Sequence, residues 1–143
     1  MLRPYTDADL EATLDAWFQA SLVAHHFLTE EFLTQERRAI AEQWMPIAET
    51  TVCEVEGRVV GFISMIDNEV GAIFVQPDHQ GRGFGRALMD HARQSRPYLE
   101  LGVFEANEIG RRFYDAYGFE VVERVTNSEA GLPELRMRLE PDE

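Results

Sequence analysis

Three closely spaced glycines, Gly81, Gly83 and Gly85, lie between an apolar run at 72–75 and a helix-like run at 87–93. A strand that turns through glycines into a helix directs several backbone N–H groups at one point, with the positive end of the helix dipole behind them. Glycine permits unusual backbone angles there and leaves room for a large anion to approach. This arrangement predicts a phosphate-bearing ligand at a strand–loop–helix junction.

The spacing separates this loop from two well-known phosphate-binding motifs. A P-loop contains Gly-Lys followed by Ser or Thr, and the chain has no lysine, because all 13 of its basic residues are arginine. The dinucleotide fingerprint G-x-G-x-x-G needs a third glycine where this chain has Arg86. Several strand-like runs also precede the loop, whereas a dinucleotide-binding unit would begin with it. The dinucleotide interpretation is therefore disfavoured.

The pattern that fits is Q-x-x-G-x-G, formed by Gln80, Gly83 and Gly85. It is the pyrophosphate-loop signature of the GNAT N-acetyltransferases, and the chain resembles that family along nearly its whole length. The other similar segments, in chain order, are 2–9, 59–63, 72–77, 101–103, Asn107, 113–114 and 118–119. The resemblance implies an α/β fold, the GNAT acyl-CoA N-acyltransferase fold, with helices flanking a twisted, mostly antiparallel mixed sheet. We expect a single N-acetyltransferase domain over residues 1–143.

The resemblance implies transfer of an acetyl group from acetyl-CoA to a primary amine, on a small molecule or a protein, by direct attack in a ternary complex. A non-catalytic acyl-CoA-binding or regulatory module on the same fold is the alternative. The residues that would bind the pyrophosphate are Gly81, Arg82, Gly83, Phe84, Gly85 and Arg86; those that would pair with the acyl-pantetheine arm are Ile73, Phe74 and Val75. A backbone N–H near Val75 would polarise the acetyl carbonyl.

Asn107 and Tyr114 are seven residues apart, as the corresponding asparagine and tyrosine are in the family. Seven residues make two helical turns, so the two side chains share a helix face. Tyr114 is predicted to be the general acid, since a phenol with a pKa of about 10 can protonate a departing thiolate whose acid has a pKa of about 8.5. Asn107 is predicted to contact the pantetheine arm, with a helix N-cap as the alternative.

The general base is less clearly indicated. An alkylamine with a pKa of about 10.4 loses its proton at a cost of roughly 4–5 kcal/mol at neutral pH. Glu69 is the first candidate, because it precedes Gln80 by eleven residues, as the catalytic glutamate does in histone-acetyltransferase members; a turn residue is the alternative. Ribosomal-protein acetyltransferases carry their base in an L-E-V strand, but Gly102 occupies that position here. A histidine or a chain of water molecules stays open.

The acceptor end is indicated by residues 24–28, in the helical region that covers the acceptor cleft in this family. His25 and Phe27 are the predicted substrate-binding residues, and His25 could also relay a proton. The alternatives are a partly exposed helix histidine and ordinary core packing. With the single cysteine Cys53 and no histidine pattern, the sequence carries no metal signature.

Composition limits the partners and the location. The chain of 143 residues is 45% hydrophobic and 27% charged, as expected of a globular domain. Its net charge of −13 argues against a nucleic-acid partner and is compatible with a cationic amine. No apolar run is long enough to span a membrane, no signal-peptide pattern is present, and a disulfide framework is excluded, so a cytoplasmic location without a membrane partner is expected. A homodimer is left open.

The remaining patterns predict the elements that position these residues. The predicted strands are 2–6, 51–56, 58–66, 69–76, 98–103, 119–125 and 135–139; the predicted helices are one capped by Asp7, then 30–40 capped by Thr29, 85–94 and 107–117. Strands first, followed by alternating helices and strands, favour a mixed α/β sheet.

Overall fold

The computed structural model describes residues 1–141, in which four α-helices flank a seven-stranded sheet. The strands are β1 (Leu2–Pro4), β2 (Glu49–Val55), β3 (Arg58–Ile66), β4 (Glu69–Val75), β5 (Leu99–Phe104), β6 (Glu120–Thr126) and β7 (Pro133–Leu139). The helices are α1 (Leu10–Ala24), α2 (Glu30–Ala39), α3 (Phe84–Arg93) and α4 (Glu108–Tyr117). Short 3₁₀ turns at Asp7–Asp9 and Pro77–His79 and a π-helical turn at Ile40–Trp44 complete these elements. No helix among residues 1–141 combines the length and the apolar character needed to cross a membrane.

The sheet has the order β1-β2-β3-β4-β5-β7-β6, and every neighbouring pair is antiparallel except the parallel pair β4 and β5. The mixed, mostly antiparallel sheet expected from the resemblance is confirmed. Within residues 1–141, β4 and β5 share one register pair, Glu69 with Glu100. Beyond this pair the two strands diverge, and the centre of the sheet opens into a cleft.

Both faces of the sheet are buried at β2 and β3, whereas the edge strand β6 is largely exposed. Successive residues of a strand point to opposite faces, so Ile63 of β3 joins the core beneath α3, whereas Phe62 joins the core beneath α1 and α2. Leu88 of α3 is fully buried in the first core, and Trp17 of α1 is buried in the second. Helices on both faces therefore hold β4 and β5 in place while the strands diverge.

The start of α1 differs from the sequence prediction. Asp7 is exposed, and Thr6 is instead the N-cap of the 3₁₀ turn that precedes the helix. The Asp9 carboxylate accepts a hydrogen bond from the Thr6 backbone N–H at 2.8 Å and from Arg3 Nη1 at 2.8 Å. The hydrogen bond from Arg3 lowers the pKa of Asp9 to about 2. The predicted cap of α2 is confirmed, since Thr29 Oγ1 accepts from the Phe32 N–H at 3.1 Å.

Candidate active site

The diverging strands enclose a cleft of about 890 Å³ that runs from the glycine loop along β4 to α1 and α2. Its lining includes every site residue predicted from the sequence except Arg82 and Phe27. The predicted residues brought together in the cleft are His25, Glu69, Ile73, Phe74, Val75, Gly81, Gly83, Phe84, Gly85, Arg86, Asn107 and Tyr114. Residues far apart in the chain thus meet at one site.

The glycine loop presents unpaired backbone donors. Gly81 and Gly83 have φ of +80° and +87°, and Gly83 is the N-cap of α3. The first helical hydrogen bond runs from the Ala87 N–H to the Gly83 carbonyl at 3.0 Å. Within residues 1–141, none of the six N–H groups from 81 to 86 donates a hydrogen bond. Nothing lies within 4 Å of a Cβ placed on either glycine, so an anion has open access to these donors.

Two contacts hold the loop in this shape. Gln80 Nε2 donates to the Val75 carbonyl at 3.0 Å, which ties the loop to the end of β4. A Cβ on Gly85 would lie 3.3 Å from the Phe113 ring, so glycine lets α3 approach α4 closely. The sequence analysis attributed Gly85 to unusual backbone angles, whereas Gly81 and Gly83 have the positive φ and Gly85 serves close packing against α4.

The two loop arginines have different surroundings. Arg86 is exposed at the cleft, with its guanidinium carbon 5.8 Å from the centroid of the Tyr117 ring. The cation–π contact between Arg86 and Tyr117 orients Arg86 beside the loop. The Tyr117 hydroxyl in turn donates to Asp90 at 2.5 Å. Arg82 is exposed outside the cleft, and its predicted role in cofactor binding stays a prediction.

Tyr114 points into the cleft from α4. Its ring packs against Phe113 and Phe119, with centroid distances of 5.6 and 5.8 Å. No hydrogen bond involves its hydroxyl anywhere in residues 1–141, and burial raises the pKa of Tyr114 to about 12. The hydroxyl is therefore protonated at neutral pH and available as a donor.

Asn107 is buried at the N-terminus of α4, where it confirms the N-cap alternative. Its Oδ1 accepts from the Gly110 N–H at 2.9 Å. Its Nδ2 lies 3.2 Å from His25 Nε2, so the amide donates to a neutral imidazole. This contact joins α4 to the end of α1 across the cleft. Contact between Asn107 and a pantetheine arm stays a prediction.

His25 sits among aromatic rings at the acceptor end. The centroids of Phe27, Phe74 and Phe104 lie 5.8, 6.0 and 5.4 Å from that of its imidazole. Burial lowers the pKa of His25 to about 4, so the ring is neutral at neutral pH. Phe27 packs behind it, 5.6 Å from Phe104, and Leu28 lines the cleft instead. Substrate contact by His25 and Phe27 stays a prediction.

Glu69 lies at the first position of β4, where the strands begin to diverge. Both of its carboxylate oxygens accept hydrogen bonds from Arg136, at 3.2 and 2.5 Å. Both oxygens of this carboxylate are therefore engaged by one guanidinium group. The structure thus places Glu69 in the cleft, but its contacts with Arg136 argue against a free base.

Three further carboxylates line this end of the cleft: Glu36 of α2, Glu129 of the β6–β7 loop and Glu134 of β7. Burial and a hydrogen bond with Glu129 raise the pKa of Glu36 to about 7. Glu134 accepts from Asn127 Nδ2 at 3.0 Å. The sequence analysis missed all three, because they come from separate elements and form no local motif.

The cleft is electrostatically polar along β4. Unpaired N–H groups and Arg86 follow the end of this strand, whereas Glu69 and the three further carboxylates lie toward its beginning. An anionic group is favoured at the first end and a cationic group at the second. Within residues 1–141, no group of three or more histidine, cysteine, aspartate or glutamate side chains is arranged to hold a metal ion.

Comparison with known proteins agrees with this geometry. The family model described as an acetyltransferase (GNAT) domain matches residues 46–121. The peptidyl-lysine N-acetyltransferase YiaC of Escherichia coli is 30% identical, over 93% of this chain and 92% of its own. The solution structure of the apo form of YjaB from the same organism has a TM-score of 0.87 at 28% identity, covering 97% of this chain and 96% of YjaB.

A more distant likeness extends to the PaiA N-acetyltransferase of Thermoplasma acidophilum, solved in complex with coenzyme A. That structure has a TM-score of 0.80 and covers 99% of this chain and 98% of PaiA, but its 17% identity shows the fold alone. The family model and the relatives show that the chain belongs to the GNAT acetyltransferase family and is an N-acetyltransferase.

Proposed function

We propose that the protein transfers an acetyl group from acetyl-CoA to a primary amine, which attacks the thioester directly in a ternary complex. The observation that carries the proposal is the run of six unpaired N–H groups at 81–86, where β4 turns into α3. Relatives named peptidyl-lysine N-acetyltransferases support a lysine ε-amine of a protein as the first acceptor to test.

The donor end fits a diphosphate followed by an extended arm. The N–H groups of 81–86 would make charge-assisted hydrogen bonds to the diphosphate, with Arg86 beside them. Ile73 and Val75 belong to a strand that pairs with β3 on one side and borders the cleft on the other. When bound, acetyl-CoA supplies the activated acetyl thioester. A backbone N–H near Val75 would polarise its carbonyl. The complex of PaiA with coenzyme A supports this cosubstrate, as does the structure of the Salmonella typhimurium acetyltransferase yncA with acetyl-CoA.

Tyr114 would handle the proton of the leaving group. The protonated hydroxyl of this partly buried side chain would give a proton to the departing sulfur, and the residue would recover one from the newly acylated nitrogen. The net proton change at Tyr114 is then zero. This exchange matters because the raised pKa of Tyr114 disfavours a lasting phenolate.

The acceptor end suits a cationic amine. Four carboxylates line it against the single guanidinium group of Arg136, and the neutral His25 adds no further positive charge. An approaching ammonium group is therefore attracted before it is deprotonated. A small polyamine carries the same kind of ammonium group as a lysine side chain. The assay must therefore compare a lysine-containing peptide with a polyamine.

The test combines calorimetry with acetyl-CoA and a free-thiol assay on a lysine-containing peptide, a polyamine and a free amino acid. We expect acetyl-CoA to bind and the peptide to give the fastest thiol release. Gly83→Ala should weaken acetyl-CoA binding, since alanine strains a left-handed residue at the donor loop. Gly57→Ala is the matched control: Gly57 has a φ of +79° and open space, and it lies in the β2–β3 turn. Binding without thiol release from any amine would indicate an acyl-CoA-binding module; no binding would refute the proposal.

A further inference from the structure

We propose that Glu134 of β7 is the catalytic residue that takes the proton from the acceptor ammonium, in a space that Gly102 of β5 leaves open. This inference rests on the proposed function and names the missing proton acceptor of the same site. It is carried by the position of the Glu134 carboxylate, the contacts of its two oxygens and the engagement of the other cleft carboxylates.

The register between β5 and β7 brings Glu134 over Gly102. Gly102 pairs with Arg136, and Phe104 pairs with Glu134. Alternate residues share a sheet face, so these side chains lie on one face. A Cβ on Gly102 would lie 2.5 Å from Oε2 and 2.8 Å from Cδ of Glu134. The carboxylate thus occupies the space that a side chain at position 102 would fill, and both residues line the cleft.

The two oxygens of Glu134 have different surroundings. Oε1 accepts the hydrogen bond from Asn127, which orients the carboxylate. Oε2 accepts no hydrogen bond within residues 1–141 and forms only a long ion pair with Arg136 Nη1, at 4.0 Å. The side chain is only 19% exposed. Glu134 is therefore an oriented and largely shielded carboxylate with one oxygen available to a ligand.

The other carboxylates of the cleft are engaged with neighbouring side chains. Glu69 has both oxygens engaged by Arg136. Glu36 and Glu129 are hydrogen-bonded to each other, and Glu129 is exposed to solvent. Glu134 differs from them because Asn127 orients its carboxylate and its Oε2 accepts no hydrogen bond within residues 1–141.

The proposed step balances as follows. One N–H bond of the ammonium group breaks and an O–H bond forms at Glu134 Oε2, which leaves a neutral amine and a neutral carboxyl. The amine then forms the C–N bond, the C–S bond breaks, and the sulfur takes a proton from Tyr114. Tyr114 recovers the second proton of the nitrogen, and Glu134 returns its proton to water. The first transfer is uphill alone, but C–N bond formation consumes the neutral amine and draws it forward.

The test is Glu134→Gln, which keeps the size and polarity of the side chain but cannot take a proton. We expect kcat/KM for the amine at pH 7 to fall by about 100-fold or more. The loss should shrink as pH rises toward the pKa of the amine, because solution then supplies the neutral form. The dissociation constant for acetyl-CoA, measured by calorimetry, should stay unchanged. Glu100→Gln is the matched control, since Glu100 lies on the same sheet face near Arg138.

A second variant, Gly102→Ala, keeps the carboxylate but pushes it from its position. It should also lower kcat/KM while the protein stays folded, because only the flexible ends of Glu134 and Arg136 need to move. An unchanged kcat/KM and pH profile in Glu134→Gln would overturn the inference, as would a larger loss in Glu69→Gln. Failure of the unmodified chain to acetylate any amine would instead refute the proposed function, and the role of Glu134 with it.

Discussion

Replacement of His25 by glutamine tests the neutral state of this ring in the folded protein. Burial among phenylalanine rings lowers the pKa of His25 to about 4, against an ordinary value of 6.5. The unfolded chain therefore takes up a proton near pH 6.5, whereas the folded chain does so only near pH 4. The stability linked to neutral His25 is full above pH 6.5 and is lost as pH falls through about 4. This difference corresponds to roughly 3 kcal/mol.

The assay is urea unfolding of the parent chain and of His25→Gln between pH 7 and pH 4.5. Glutamine can still accept from the Asn107 amide but cannot be protonated. Between these pH values the variant should lose about 2 kcal/mol less of its free energy of unfolding than the parent chain loses. His26→Gln, the same change at an exposed neighbouring position, is the control and should behave like the parent.

Two results would refute this reasoning. One is a fall in stability for His25→Gln that runs parallel to that of the parent chain at every pH. The other is an NMR titration in which the His25 ring gains its proton near pH 6.5 or above. Either result would mean that the imidazole is hydrated in the folded protein and does not join α1 to α4 as a neutral acceptor.

Three further predictions follow from single contacts. Tyr114→Phe should leave the melting temperature nearly unchanged, because the hydroxyl has no hydrogen-bond partner in residues 1–141, and should lower thiol release by about 10²–10⁴-fold; full turnover would contradict it. Glu36→Gln should add about 1 kcal/mol to the free energy of unfolding at pH 8, after allowance for solvent screening. The gain should vanish at pH 4, because the pKa of Glu36 is raised from 4.5 to about 7 in the folded protein. The protonated side chain therefore contributes stability that is full below pH 4.5 and is lost as pH rises through 7. Equal gains at pH 4 and pH 8 in urea unfolding would contradict this prediction. Thr29→Ala should cost about 1 kcal/mol in the same assay through loss of the α2 cap, and more than the control Thr34→Ala.

The sequence was informative where local patterns decide the structure. The bounds of β3, the start of β4, the cap at Thr29 and the turn of the glycine loop into α3 depend on residues that are neighbours in the chain. The start of α1 was misjudged because the carboxylate that matters, Asp9, is fixed by Arg3 of the edge strand. No periodicity within the helix signals that contact.

The acceptor end could not be predicted in the same way. The eleven-residue spacing located Glu69 in the cleft, but its partner Arg136 lies 67 residues further along the chain. Gly102 suggested only that a carboxylate was missing from β5. The carboxylate that covers this glycine comes from β7, and it depends on the register between two antiparallel strands. The proximity of Glu134 to Gly102 is therefore visible only in the folded structure.

Because β4 and β5 separate beyond the pair Glu69 and Glu100, each of the two strands has an unpaired side in the middle of the sheet. The other sides of β4 and β5 are paired with β3 and β7. The gap between β4 and β5 therefore hinders a second polypeptide from adding a strand there and favours a slender molecule. A molecule that bridges the two halves also reinforces the fold, by about 2.7 kcal/mol at one hundred times its dissociation constant. If acetyl-CoA is that molecule, the lifetime of the protein in the cell increases with the concentration of its own cosubstrate.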